Sequence, residues 1–326
     1  MKKRTIIIAE AGVNHNGNIK LAEKLIDAAV ASGADYVKFQ TFKANKLVNK
    51  FASKADYQIS NTEKKNETQY EMLKKLELSI DDHYYLFDYC KLKKIKFLST
   101  AFDLEGLEFL NKLGVDLFKI PSGELTNLPY LKKVTTFNKP IILSTGMASI
   151  TEIKKALDVL RSNNSLKKNI TILHCNTAYP TPMKDVNLLA MNHIKMEFKD
   201  INIGYSDHTE GIEVALASAA LGATVVEKHF TINKNLMGPD HKSSLEPNEL
   251  KKMIDSIRNV DLAISGNGKK QVTQSERNNI IHSRKSIHLN KNLNKGEKIK
   301  ESDLIMLRPG DGISPMDVYK VIGKKL

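Results

Sequence analysis

The chain has 326 residues, 41% of them hydrophobic and 27% charged, and carries a formal net charge of +13. That composition supports a large core plus an appendix, and no run approaches the roughly 20 apolar residues of a membrane span. Two cysteines, Cys90 and Cys175, exclude a disulfide framework and a cysteine-rich zinc cluster. The opening apolar run stops at Glu10 after about five residues, too short for the apolar core of a secretory signal, so a cytoplasmic protein is expected. The basic excess is spread over amphipathic segments with acids interleaved (Lys74, Lys75, Lys154, Lys155), which reads as a solvated surface. No nucleic-acid or membrane partner is expected from it, although a positive field would steer an anionic substrate.

From the N-terminus, short β-branched or aromatic runs alternate with longer amphipathic ones. The strand candidates are 5–9, 35–39, 96–99, 116–120, 140–144, 170–174, 201–204 and 224–228. Helix candidates lie near 19–32, 80–94, 103–113, 127–137, 149–163, 185–198, 211–221 and 247–264. Capping residues open several of these, such as Asp103 and Ser149, and Gly114 closes one. This rhythm over residues 1–265 predicts an α/β (β/α)8 TIM barrel. An open doubly wound sheet is disfavoured because no glycine-rich dinucleotide fingerprint follows the first strand. The long polar stretch 43–79 follows the second strand, where a barrel carries lids; a disordered insert is the alternative. A polar linker, 266–281, leads to short strands and glycine turns over 282–326, hence a small, mostly β domain without an obvious final strand.

In such a barrel, the strand C-terminal ends build the site. Those ends supply Glu10, Lys38 and Gln40, Thr100, Lys119 with Ser122 and Glu124, Ser144, Asn176 with Thr177 and Tyr179, Ser206 with His208, and Glu227 with His229. Singly, each has a bland reading as a cap or a solvated side chain. Together they place several charges on one rim, which core burial does not explain because unpaired buried charges are costly. Lysines, hydroxyls and the turns PSGE and STGM suit a phosphate or carboxylate. His208 and His229, on adjacent strands, suit an open divalent metal site, manganese- or magnesium-like rather than structural zinc. The residues alone therefore predict metal-assisted carbon–carbon bond chemistry on an anionic phosphate ligand.

Ten segments in order then resemble the bacterial N-acetylneuraminate (sialic acid) synthase family: AEAGVNHNG, VKFQTFKA, LSTAFD, KIPSGE, ILSTGM, HCNTAYPTP, GYSDHT, VEKHFT, GPDH and RPGDGISP. The resemblance implies a transferase that condenses phosphoenolpyruvate with N-acetylmannosamine and water, releasing phosphate. A 2,4-diacetamido-2,4,6-trideoxymannose, giving a legionaminate-type product, is the alternative sugar. It implies that Lys119, Ser122, Ser144 and Ser206 hold phosphoenolpyruvate, with Lys38 and Thr100 at the same end. His208 and His229 would ligate the metal, manganese first, with magnesium or cobalt as alternatives. Gln40, Tyr179, Asp240 and Glu10 would surround the sugar, and Glu10 or Glu124 would take the proton of the attacking water. The phosphate contact after Cys175 falls to Asn176 or Thr177, whose order is reversed relative to some members. The tail resembles a shortened antifreeze-like (SAF) domain, and the resemblance implies a domain-swapped homodimer in which Arg308 reaches the partner's sugar. A Schiff-base aldolase using Lys38 or Lys119, and a non-catalytic sugar- or nucleic-acid-binding protein, are the rival classes.

Overall fold

The computed structural model describes residues 4–62, 64, 66–162 and 169–326. The chain divides into two compact units, Met1–Ser265 and Gly266–Leu326. In the first, strands β1 (Ile6–Gly12), β2 (Tyr36–Thr41), β3 (Lys96–Ala101), β4 (Phe118–Ile120), β5 (Ile141–Ser144), β6 (Ile170–Cys175), β7 (Asn202–Asp207) and β8 (Val225–His229) close a barrel in sequence order. All neighbouring pairs are parallel, and β8 returns to β1 with Glu10 opposite His229. The expected barrel is therefore present.

Side chains two apart on a strand share a face, so the barrel interior is built in tiers. Ile8, Tyr36, Leu98, Leu117, Ile142 and Val225 belong to one buried apolar cluster. Two residues further along the same strands stand Glu10, Lys38, Thr100, Lys119, Ser144 and Glu227. The apolar tier lies beneath the polar one. A second, larger cluster lies between strands and helices, with Leu25, Leu107, Val134, Leu157 and Ile257 buried in it.

The helices are α1 (Ile19–Ser32), α2 (Ala44–Leu47), α3 (Asp56–Thr62), α4 (Gln69–Leu76), α5 (Ile80–Leu92), α6 (Leu104–Leu113), α7 (Leu128–Thr135), α8 (Ile150–Leu160), α9 (Ala190–Glu197), α10 (Glu213–Ala220) and α11 (Pro247–Ala263). Capping boxes start α5 at Ser79–Asp82 and α8 at Ser149–Glu152, satisfying orphan N–H groups of the first turn. Gly114, at φ +98°, ends α6 as anticipated. The expected end of α8 at residue 163 lies outside the described residues. Helix α9 starts five residues later than expected, because Asn187 adopts φ +43° and breaks the run after a single 3-10 turn, Met183–Asp185. Surface lysines pair along their own helices, as in Lys20–Glu23, Lys154–Asp158 and Lys251–Asp255. Among the described residues, no helix is long and apolar enough to cross a membrane.

The 43–79 stretch folds as α2, α3 and α4, with its described residues ordered around a small core of its own. Met72, Leu73 and Leu76 pack with Val13, Phe42 and Ala44, and Leu47, Val48 and Phe102 lean on them. Lys54 is buried within it, donating to Thr62 Oγ1 at 2.8 Å and to the Lys64 carbonyl at 2.6 Å, with Glu67 at 3.1 Å. A charge buried with three partners fixes a loop far better than a solvated one would.

In the second unit, β9 (Ser286–Leu289) pairs antiparallel with β10 (Leu304–Leu307). Two features differ from the sequence reading. The region expected as linker carries helix α12 (Arg277–Ser283), preceded by a 3-10 turn whose capping box joins Thr273 and Glu276. Residues 323–326 also pair with 296–299, through Gly323 N–H to the Ile299 carbonyl at 2.8 Å and Ile299 N–H to the Lys324 carbonyl at 2.9 Å.

Candidate active site

The polar tier opens into a cavity of about 330 Å³ at the C-terminal mouth of the barrel. Glu10, Lys38, Gln40, Thr100, Lys119, Ser122, Ser144, Thr177, Tyr179, Ser206, His208, His229 and Asp240 all line it. Thirteen sequence-predicted residues thus converge. Three do not. Asn176 turns away, its Oδ1 accepting from Ala178 N–H at 2.7 Å and its Nδ2 donating to the Asp185 carbonyl at 3.3 Å, so Thr177 is the one of that pair facing the cavity. Glu124 sits half-buried in the 3-10 turn Ser122–Glu124 outside the lining and accepts from Asn127 at 2.5 Å. Arg308 is exposed in the second unit, where its Nε donates to the Ser283 carbonyl at 3.1 Å.

The floor is a buried array of charges centred on Glu227, whose role sequence reasoning did not assign. Lys119 Nζ meets Glu227 Oε1 at 3.0 Å, and Ser206 Oγ donates to the same oxygen at 3.1 Å. Lys38 Nζ lies 3.0 Å from Glu10, 3.5 Å from Glu227 and donates to Thr100 Oγ1 at 3.0 Å. The signal available was position: Glu227 is two residues before His229 and so faces the same way. Burial works against ionisation of Glu227, but the two ammonium groups overcome it and hold the carboxyl down to about 2. Burial dominates at Glu10, which has Lys38 but also feels Glu227, and its carboxyl rises to about 7. Lys38 is held above the usual amine range by its two carboxylates despite burial, whereas burial pulls Lys119 below it. One carboxylate is thus kept as an anion and the other is poised to exchange a proton near neutrality.

Hydroxyls complete an anion cradle. Ser144 Oγ is buried without a hydrogen-bond partner. Ser122 Oγ accepts from Gly146 N–H at 3.0 Å and lies 3.4 Å from Cys175 Sγ, a weak partner that an anion's oxygen would displace. The turn admits no side chain at Gly146, since an added Cβ would stand 2.6 Å from Thr177 and 2.9 Å from Ser122 Oγ. Two ammonium groups, the unpaired Ser144 hydroxyl and the weakly held Ser122 hydroxyl suit phosphate or carboxylate oxygens.

His208 and His229 face each other with ring centroids 5.5 Å apart. Burial drives His208 down to about 4 and His229 well below the usual imidazole range, so both are neutral at pH 7. His208 Nδ1 bonds the Asn176 carbonyl, which fixes Nε2 as the lone-pair nitrogen, within 3.2 Å of the Tyr179 hydroxyl. His229 Nδ1 is buried without a partner. Neutral imidazoles with oriented or unpartnered nitrogens fit a divalent cation whose remaining positions go to water or substrate oxygen. Among the described residues no three His, Cys, Asp or Glu side chains come together as a closed metal site.

The roof comes from the 43–79 stretch. Tyr57 stacks on Tyr179 with centroids 5.2 Å apart, and Asn61 Nδ2 donates to the Pro239 carbonyl at 2.6 Å. Beside them Asp240 is buried and, among the described residues, has no charge partner; burial raises its carboxyl to about 6. Raising a folded-state carboxyl pKa favours the native state at low pH, and that advantage is lost as pH rises through the folded value. Asp240→Asn should therefore stabilise the barrel by up to about 3 kcal/mol at pH 7.5 and by only about 0.5 kcal/mol at pH 4. Urea unfolding of both proteins at the two pH values checks this; an equal gain at both would rule out the ionised carboxylate as the cause.

The NeuB family matches residues 25–270, and the SAF domain matches residues 284–326. The chain is 53% identical over 322 residues to the N,N'-diacetyllegionaminic acid synthase of Campylobacter jejuni, covering 99% of this chain and 96% of that protein. It is 48% identical to the enzyme of the same name from Legionella pneumophila, over 98% and 90% of the two chains. The crystal structure of N-acetylneuraminic acid (sialic acid) synthetase from Leptospira borgpetersenii, in complex with citrate, superposes with a TM-score of 0.75 at 32% identity, over 85% of this chain and 90% of that one. A barrel rim of this composition, continuous likeness across both units and two matching family patterns lead to one conclusion: the chain is an enzyme of the NeuB family, with an SAF domain as its second unit.

Proposed function

We propose that this enzyme condenses phosphoenolpyruvate with 2,4-diacetamido-2,4,6-trideoxymannose and water, yielding N,N'-diacetyllegionaminate and phosphate. The motifs alone favour N-acetylmannosamine as the sugar. The observation that reverses this preference is that the two relatives near half identity, matched along almost their whole length, both carry the legionaminic name, while the sialic acid synthetase is markedly more distant.

Lys119, Lys38, Ser144, Ser122 and Ser206 bind the phosphate and carboxylate of phosphoenolpyruvate at the barrel floor, with Thr177 at its edge. Glu227 holds both ammonium groups in place as charged donors. A divalent cation held by His208 and His229, manganese by likeness to the family, would polarise the sugar aldehyde. Tyr179, Gln40 and Asp240 orient the open-chain sugar so that its C1 faces the methylene carbon of phosphoenolpyruvate. Bond formation moves the aldehyde's π pair onto its oxygen, which takes up a proton from water and becomes a hydroxyl, and leaves a cationic carbon at C2, where water adds. Glu10, poised near neutrality, accepts that water's proton, and the tetrahedral carbon then expels phosphate with cleavage of its C–O bond. Closure of the roof over the floor limits loss of the cation to bulk water before this addition. In a swapped dimer, Arg308 would cap the partner's sugar.

The test is phosphate release from phosphoenolpyruvate with manganese, with the two sugars run side by side. Release with the diacetamido sugar at least about tenfold faster in kcat/KM is expected, a margin of one to two small-group contacts. Equal or greater release with N-acetylmannosamine would return the assignment to a neuraminate synthase.

A further inference from the structure

The cavity has two chemically different ends. Its floor is charged, whereas its roof presents Val13, Leu47, Val48, Met72, Leu73 and Phe102 to the same space. These are not stray exposed side chains. Val13, Met72 and Leu73 belong to the buried cluster that seats the 43–79 stretch on the barrel, and Leu47, Val48 and Phe102 pack against it. The wall is therefore preformed, with its shape set by the packing of α2 and α4. The polar groups that this stretch adds to the lining are Tyr57 and the amides of Gln58 and Gln69. Gln58 and Gln69 approach each other at 3.5 Å, so their amide groups form one edge of an otherwise apolar surface.

A hydroxyl placed against such a wall loses water without gaining a partner, whereas a methyl gains burial. An amide needs a donor and an acceptor; Gln58 is held by Ala55 N–H at 3.0 Å and by the Tyr57 hydroxyl at 3.4 Å, so Gln69 is the amide of this edge that can supply them, through its Oε1 and its second Nε2 proton. We infer that the wall from α2 and α4 is the specificity element of the enzyme. It selects a sugar whose far end carries a C6 methyl and an acylated nitrogen over one carrying hydroxyls. The inference rests on the reading of the charged floor as the condensation site, because that reading points the sugar's far end at the roof. Selection is distributed along Leu47, Val48, Leu73 and the Gln69 amide, and the floor residues contribute nothing to it.

The experiment compares wild type, Val48→Thr, Leu47→Gln and the conservative Met72→Leu. Each is assayed for phosphate release with both sugars, and each sugar's binding is followed by calorimetry. The wild type is expected to favour the diacetamido sugar by about a hundredfold. Val48→Thr and Leu47→Gln should each cut that ratio about tenfold without moving KM for phosphoenolpyruvate, and Met72→Leu should keep it. A ratio unchanged within about twofold in both polar variants, or equal use of both sugars by the wild type, would overturn the inference. Calorimetry separates the wall from the reaction. Preferential binding of the diacetamido sugar without phosphate release would support the wall and remove the proposed chemistry.

Discussion

Lys119→Met is expected to lower kcat/KM for phosphoenolpyruvate by about a thousandfold while leaving the barrel folded. Methionine is close to the lysine stem in length and shape, so the apolar floor beneath it is undisturbed. What disappears is one of two buried ammonium groups. Glu227 keeps Lys38 at 3.5 Å and the Ser206 hydroxyl at 3.1 Å, so its charge is not stranded. The cost therefore falls on the ligand. Its phosphate and carboxylate meet the same anionic Glu227 with half of the opposing charge removed, and in a site shielded from water that attraction is strong. Steady-state kinetics with phosphoenolpyruvate varied, beside a thermal melt, provide the check. A loss below about tenfold would mean that Lys119 serves the fold rather than the substrate. The aldolase alternative predicts the same loss for another reason, and borohydride separates the two. Wild-type enzyme reduced in the presence of pyruvate should keep its mass, because no lysine forms an imine in a phosphate-releasing condensation.

Much of this was legible in the sequence, for a physical reason. Barrel strands are short β-branched runs, and polar residues of the rim stand at or just beyond their ends, so the eight strands and twelve of the thirteen cavity residues could be located together; Asp240, eleven residues past β8, came from the family resemblance alone. Strand ends were read two or three residues early at β1, β2, β3 and β7, which run on to Gly12, Thr41, Ala101 and Asp207. Hydropathy stops at Glu10, Ser99 and Ser206, but the backbone ladder continues through polar residues when they face a buried site. Three things stayed hidden. The helices of 43–79 span four to eight residues each, too few to be stable alone, and they exist because Met72 and Leu73 dock on Val13. Asn176 and Thr177 are neighbours of similar chemistry, and only the turn decides which one faces the cavity. The distance of Glu124 from the lining is likewise set by a single 3-10 turn that no periodicity announces.

Lys228→Met is expected to destabilise the protein by about 3–5 kcal/mol, although Lys228 touches no substrate. Ser206 and His208 face the cavity, as do Glu227 and His229; the residues between them face outward. Those two residues, Asp207 and Lys228, are register partners on β7 and β8 and form an ion pair at 2.8 Å with both side chains fully buried. Lys228 also donates to the Thr209 carbonyl at 2.6 Å, and Asp207 accepts from Thr209 N–H at 2.9 Å and from its hydroxyl at 2.8 Å. The pair is thus a clasp on the outer wall that fixes the backbone on both sides of His208 and next to His229. Removing the lysine strands an anion in an apolar layer, which is where the large cost arises. Removing both charges, in Asp207→Leu with Lys228→Met, should recover most of the stability by the same logic. It should not recover the geometry, because Thr209 loses three hydrogen bonds and the loop carrying His208 is released. The double variant is accordingly expected to melt near the wild type yet bind the proposed manganese ion at least about tenfold more weakly, as loss of a residue that orients a ligand does. Denaturant unfolding and manganese titration followed by electron paramagnetic resonance measure the two effects independently. A single variant that loses less than about 1 kcal/mol would show that the clasp is solvated in practice and that its burial carries no weight.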